Sequence, residues 1–326
     1  MGIQTSCSLF GAGFHGANGV NPVVSLKIWQ TYIIPRLTFG LEATILPARL
    51  EAELDRYQFN TMRQIQHLPK TTSRAAVHLL IGLLPIRGCI DRKILTLFGQ
   101  IIRNPGTSEY AVVRRQLALK DIQAVSWVVQ LREILHKYKL PSAYELMATP
   151  PTKAAWKRTI KLATADYWTA ALTEEANSQS SLRYLNTGIC RVGTAHHIWA
   201  SAADTPFDCR RACVKAKLVT GKYPLQTVLS RFEGPMSQVT CLLCKQEPET
   251  RCHFIACCVA LSSVRDQWLE TLRKQLTELE QDRRSHNSQT GLPADPEDLT
   301  SFILDPSARI DQLHIHDVER TTRGMC

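Results

Sequence analysis

The sequence has no run of 18 or more apolar residues, so it offers no segment for a membrane-spanning helix. The opening Met1-Gly2-Ile3-Gln4-Thr5-Ser6-Cys7 has neither a basic residue nor a long apolar stretch, which leaves out a secretory leader. Strand-like alternation is missing over any useful length. No two aspartates stand side by side, which removes the carboxylate pair a polymerase uses for its metal ions. The acidic stretch Asp295-Pro296-Glu297-Asp298 has some likeness to the start of a nuclease site. Such a site also needs a lysine nearby, and none follows Lys274. These absences point away from a membrane or secreted protein and away from catalysis. The expected setting is intracellular, nucleus or cytoplasm.

What is present is a chain of 326 residues, 44% hydrophobic and 21% charged, which is too apolar for a disordered chain and long enough for a sizeable core. The net charge is +10, an excess that favours an anionic partner. The 11 cysteines are odd in number and have no leader before them, so they read as reduced thiols, some of them metal ligands.

The periodicity predicts a mostly α fold. Residues 1–23 are Gly/Asn-rich and read as loops. Over 24–150, Leu26, Trp29, Tyr32 and Ile33, then Leu50, Leu54, Tyr57 and Met62, recur at helical spacing, punctuated by Pro35, Pro47, Pro69 and Pro85. Ala75 to Gly82 reads as a buried helix closed by glycine. A basic helical connector follows over 151–235, its first helix carrying Lys153, Lys157, Arg158 and Lys161. Residues 236–280 hold a cysteine cluster and an amphipathic helix. The polar, Asp/Pro-rich stretch over 281–326 is expected to be a weakly ordered tail.

The cluster reads Cys241-Leu242-Leu243-Cys244, then Cys252-His253 and Cys257-Cys258, a C-x2-C-x8-H-x4-C spacing. Two thiolates on a tight turn and a second pair from a following helix complete a tetrahedron around one zinc ion. Cys241, Cys244, His253 and Cys258 are the preferred ligands, with Cys257 as the rival for the fourth place. A Cys3His site leaves no open position for water, so the ion is expected to be structural.

Other candidates carry less. Gly11-Ala12-Gly13-Phe14-His15-Gly16 matches G-x-G-x-x-G but opens no long helix, and a glycine-rich turn is the ordinary reading. His196-His197 and His314-Ile315-His316 have no cysteine or acid at ligand spacing and are expected at the surface. Cys209 and Cys213 read as core thiols.

The basic charge is uneven. Residues 87–139 hold ten Lys/Arg against four Asp/Glu, a net of +6, and residues 191–232 hold seven against two, a net of +5. Arg210, Arg211, Lys215, Lys217 and Lys222 lead toward the cysteine cluster and are the expected phosphate contacts, suited to backbone binding without sequence reading.

Several segments resemble non-LTR (LINE-type) retrotransposon reverse transcriptases. Gly13-Phe14-His15-Gly16-Ala17-Asn18-Gly19-Val20-Asn21-Pro22, then Ile28-Trp29, Tyr32, Pro35 and Phe39-Gly40-Leu41-Glu42, are similar to the segment just after that family's catalytic palm. Gln64-Ile65-Gln66-His67-Leu68-Pro69 and Leu79-Leu80-Ile81-Gly82-Leu83-Leu84-Pro85 resemble the thumb-like helices that follow. Lys217-Leu218-Val219-Thr220-Gly221-Lys222-Tyr223 and the Cys/His cluster resemble the C-terminal zinc-binding region, and Asp317 to Cys326 the start of the terminal stretch. The palm with its catalytic aspartates would precede Met1. The resemblance therefore implies a nucleic-acid-binding fragment or remnant and not a polymerase. Its implied partners are RNA or DNA, no membrane, and a palm-containing polymerase chain. The competing expectation is a helical protein-interaction module whose zinc is purely structural.

Overall fold

The helices begin where short polar side chains cap them. Ser73, Thr107, Ser126, Thr152 and Thr205 each accept a hydrogen bond from a backbone N–H of the first turn that follows, and Ser142 forms a full capping box with Glu145. The computed structural model describes residues 11–14, 20–121, 123–202, 205–233, 238–282 and 291–326. Among these the fold is mostly α, as the periodicity predicts: fifteen α-helices, no strand and two isolated β-bridges. They are α1 (Pro22–Ile28), α2 (Ile34–Leu37), α3 (Ala48–Ile65), α4 (Arg74–Ile81), α5 (Ile86–Ile102), α6 (Ser108–Leu119), α7 (Trp127–Lys137), α8 (Ala143–Ala148), α9 (Lys153–Asn177), α10 (His197–Ala200), α11 (Pro206–Val219), α12 (Gln226–Glu233), α13 (Ser262–Asp282), α14 (Pro296–Leu304) and α15 (Ile315–Gly324). None of the described helices is long and apolar enough to cross a membrane.

Two apolar cores share one long helix. Ile90, Ile94 and Phe98 of α5, Leu131 and Leu135 of α7, and Trp156 and Ile160 of α9 fill the first. Met62, Leu79, Leu80 and Trp199 fill the second, together with Leu172 and Ala176 from the far end of α9. At 25 residues α9 is about 37 Å long, and each half buries its own apolar side. Gly82 ends α4 in the left-handed region, at φ 67°, and lies against the 190s loop: Gly193 N donates to Gly82 O at 2.7 Å, and His196 N to Leu80 O at 2.9 Å.

The expectation of a weakly ordered tail is overturned for residues 291–326. Phe302, Ile303 and Leu304 of α14 and Val318 of α15 are buried against the second core and against a smaller cluster with Leu272 and Leu276 of α13. The tail also buries Glu319 and Arg323, charged residues that in a sequence pass for surface. Arg323 Nη1 donates to Asp208 Oδ2 at 2.7 Å and Nη2 donates to Ser201 Oγ.

Candidate metal centre and basic surfaces

A short hairpin and a π-turn bring the cysteines together. Cys241 N donates to Glu247 O at 2.8 Å and Glu249 N to Val239 O at 2.8 Å. Lys245 turns the chain at φ 57°, so Cys241 and Cys244 project from one knuckle. His253–Cys257 winds as a π-helix, and Cys258 N donates to His253 O at 2.7 Å. That wider turn places residue i+5 over residue i, which is why Cys258 joins His253. Cys257 pairs instead with Cys252, sulfur to sulfur at 3.9 Å.

The ligand atoms of Cys241, Cys244, His253 and Cys258 lie within 4.8 Å of one another, an arrangement able to hold a metal ion. Cys241 Sγ is 3.9 Å from Cys258 Sγ, and Cys244 Sγ is 3.3 Å from His253 Nε2. A tetrahedron with metal–sulfur bonds of about 2.3 Å and metal–nitrogen bonds of about 2.0 Å has edges of about 3.5–3.8 Å, close to both separations. His253 Nδ1 lies 3.0 Å from Glu247 Oε2. A proton held there by the carboxylate leaves the Nε2 lone pair free for a metal. Backbone N–H groups of Gln246 and Glu247 aimed at its sulfur bring the Cys244 thiol down to about 7, outweighing the opposing effect of desolvation. By contrast, burial pushes Cys252 up to about 11, which keeps it a thiol.

The unit is docked on the second core and is not a coreless module. Ile255 is part of that core, Phe254 lies 6.0 Å from the Tyr223 ring, and Arg251 Nη1 donates to Ser181 O, Leu218 O and Val219 O. Glu249 Oε2 accepts from Gln226 N at 2.7 Å, which fixes the start of α12 to the knuckle.

The five expected phosphate contacts do not form one exposed stripe. Lys215 is wholly buried and ion-paired to Glu319 at 2.7 Å, so it is corrected from a surface contact to a core residue. Arg211 donates to Gly324 O at 3.0 Å and stacks near the Phe207 and Trp268 rings. Lys217 and Lys222 are half-buried, and only Arg210 is exposed. The exposed basic row lies elsewhere. Lys153, Lys157 and Lys161 stand four residues apart on α9, with Arg158 beside them; all four are exposed, and none is ion-paired to a described residue. Their side of the helix is free because Trp156 and Ile160 take the buried side.

The remaining candidates sort plainly. Cys209 and Cys213 are buried in α11, and burial pushes the Cys213 thiol up to about 12. Gly16 of the glycine motif, with His15 and Gly19, lies outside the described residues; Gly13 is left-handed at φ 87°. His316 is exposed and His314 half-buried. His196 and His197, expected at the surface, are buried against Asp305. Sequence reading missed that grouping because the acid comes from a helix end more than a hundred residues away. Comparison of the chain with family models, with curated proteins and with solved structures gives no match.

Proposed function

We propose that this protein binds RNA or DNA through phosphate contacts, with one zinc ion closing the Cys3His cluster as a structural staple. The observation that carries the reading is the exposed row Lys153, Lys157 and Lys161 on α9. Four residues of helix rise about 6 Å, so three ammonium groups stand in line at an even interval on a rigid rod. Such a row neutralises successive phosphates and reads no bases. The net charge of +10 supplies long-range attraction for the same partner. Zinc is favoured over harder ions because three of the four donors are sulfur. The resemblance to the thumb-like and zinc-binding regions of LINE-type reverse transcriptases supports the same reading, with no chemistry performed by this chain.

A second reading, a protein-interaction module, draws on the exposed Tyr32 (55%) and Phe39 (83%), which flank α2. The two readings part on one measurement, the binding of the purified chain to single-stranded RNA and to duplex DNA at low salt. Binding that weakens steeply as salt rises supports the first, and no measurable binding to either polymer leaves the second.

A further inference from the structure

The fold brings His196 and His197, at the start of α10, against Asp305, just beyond α14. All three side chains are buried. His196 Nε2 is 3.3 Å from Asp305 Oδ2, and His197 Nε2 is 3.3 Å from Asp305 Oδ1. Neither contact has hydrogen-bond geometry, and both Nε2 atoms are left without a hydrogen-bond partner. Buried ring nitrogens are seldom left so.

A separation of 3.3 Å is long for a charge-assisted hydrogen bond but matches a coordination edge. Tetrahedral bonds of about 2.0–2.1 Å give donor–donor edges of about 3.3–3.4 Å. The three donor atoms lie within 4.8 Å of one another. A second shell already holds the carboxylate: Asn186 N donates to Oδ2 at 2.7 Å and Ser307 Oγ to Oδ1 at 2.5 Å. Glu319 Oε2, which also accepts from Lys215 Nζ, is a fourth donor atom nearby, 3.3 Å from His197 Nε2.

The neighbouring carboxylates have cations of their own: Lys215 is held by Glu319 Oε2 and Thr322 Oγ1, both at 2.7 Å, and Arg323 by Asp208. We propose that His196, His197 and Asp305 form a second metal site, for a divalent transition-metal ion of borderline softness, separate from the Cys3His cluster. Two imidazoles and a carboxylate suit zinc, iron(II) or cobalt(II) and select against calcium and magnesium. Ligation through His196 Nε2 moves that ring's proton to Nδ1 and breaks the 3.4 Å cap bond from Ile198 N, and ligation through His197 Nε2 leaves its Nδ1 proton without an acceptor. The two histidines also line a cavity of about 260 Å³ with Cys190 and His316, so a small ligand has room beside the ion.

The test is a metal count on the full chain, stripped with chelator, reloaded with Co2+ and dialysed. Two equivalents are expected in the unmodified protein. His197→Gln should leave one equivalent and keep the intense sulfur-to-cobalt absorption. Cys244→Ser should also leave one, with that absorption lost. A single equivalent in the unmodified chain overturns the site, and so does a His197→Gln protein that still binds two. The count on the unmodified chain decides the matter if the variant fails to fold, and the sulfur band keeps the result independent of the Cys3His cluster.

Discussion

Lys215 Nζ lies 2.7 Å from Glu319 Oε2, with both side chains fully shielded from solvent, and this pair ties α11 to α15. Burying two charges is worthwhile only while each satisfies the other. Lys215→Met should therefore destabilise the fold by about 3–5 kcal/mol, because it strands Glu319 in the interior. Replacing both residues with apolar ones, Lys215→Met with Glu319→Leu, should cost less than the single change. Urea unfolding of the three proteins checks this, and a double variant no more stable than Lys215→Met would count against a buried pair.

Gly82 and Gly40 separate two costs of adding a methyl group. Both are left-handed, at φ 67° and 77°. A Cβ on Gly82 would sit 2.2 Å from Thr194 O, backbone that cannot step aside, whereas one on Gly40 meets nothing within 4 Å. Gly40→Ala should cost about 1 kcal/mol from conformation alone. Gly82→Ala should cost about 2 kcal/mol more, since it also pushes α4 off the 190s loop. Thermal unfolding of the two variants should rank them in that order.

His78 is buried in α4 and held neutral: burial, assisted by nearby Arg74, lowers it to about 4. The unfolded chain takes up a proton here below about 6.5, and the folded chain does not until about 4. Stability is therefore lost as pH falls from about 6.5 to about 4, by about 3 kcal/mol at most from this residue. The stability gap between the wild type and His78→Gln should narrow across that window and stay constant above pH 7. A gap that does not change with pH would show that His78 titrates normally in the fold.

Cys244 and Cys257 distinguish the ligand set from its neighbours. Cys244→Ser should lose the ion of the Cys3His cluster and unfasten the knuckle from α12, while Cys257→Ser should keep it, since Cys257 faces Cys252. Metal content with limited proteolysis near residue 245 reads both effects. Equal metal loss in the two variants would place Cys257 in the site.

Much of this was legible in the sequence where local rules operate. The 3.6-residue period and the prolines mark the helices, and Gly82 marks the end of α4. The C-x2-C and His-x4-Cys spacings outline the metal cluster, because a knuckle and one turn fix those residues locally. What stayed hidden depends on partners far along the chain. Lys215 reads as a phosphate contact until Glu319, 104 residues on, is seen to neutralise it. His196 and His197 read as surface residues until Asp305 arrives. The tail looked too polar to fold because its charges are matched across the core and not along the helix. Lys153, Lys157 and Lys161 were visible as a basic helix, but only the burial of Trp156 and Ile160 identifies which side faces solvent.

The proposed phosphate-binding surface on α9 is tested directly by the salt dependence of binding. Affinity for duplex DNA should be measured across a salt series for the wild type and for Lys153→Gln/Lys157→Gln/Lys161→Gln. Three lost phosphate contacts should reduce the log–log slope by about 2.7, with the fold and metal content unchanged. An unchanged slope in the triple variant, or no binding by the wild type at low salt, would contradict it.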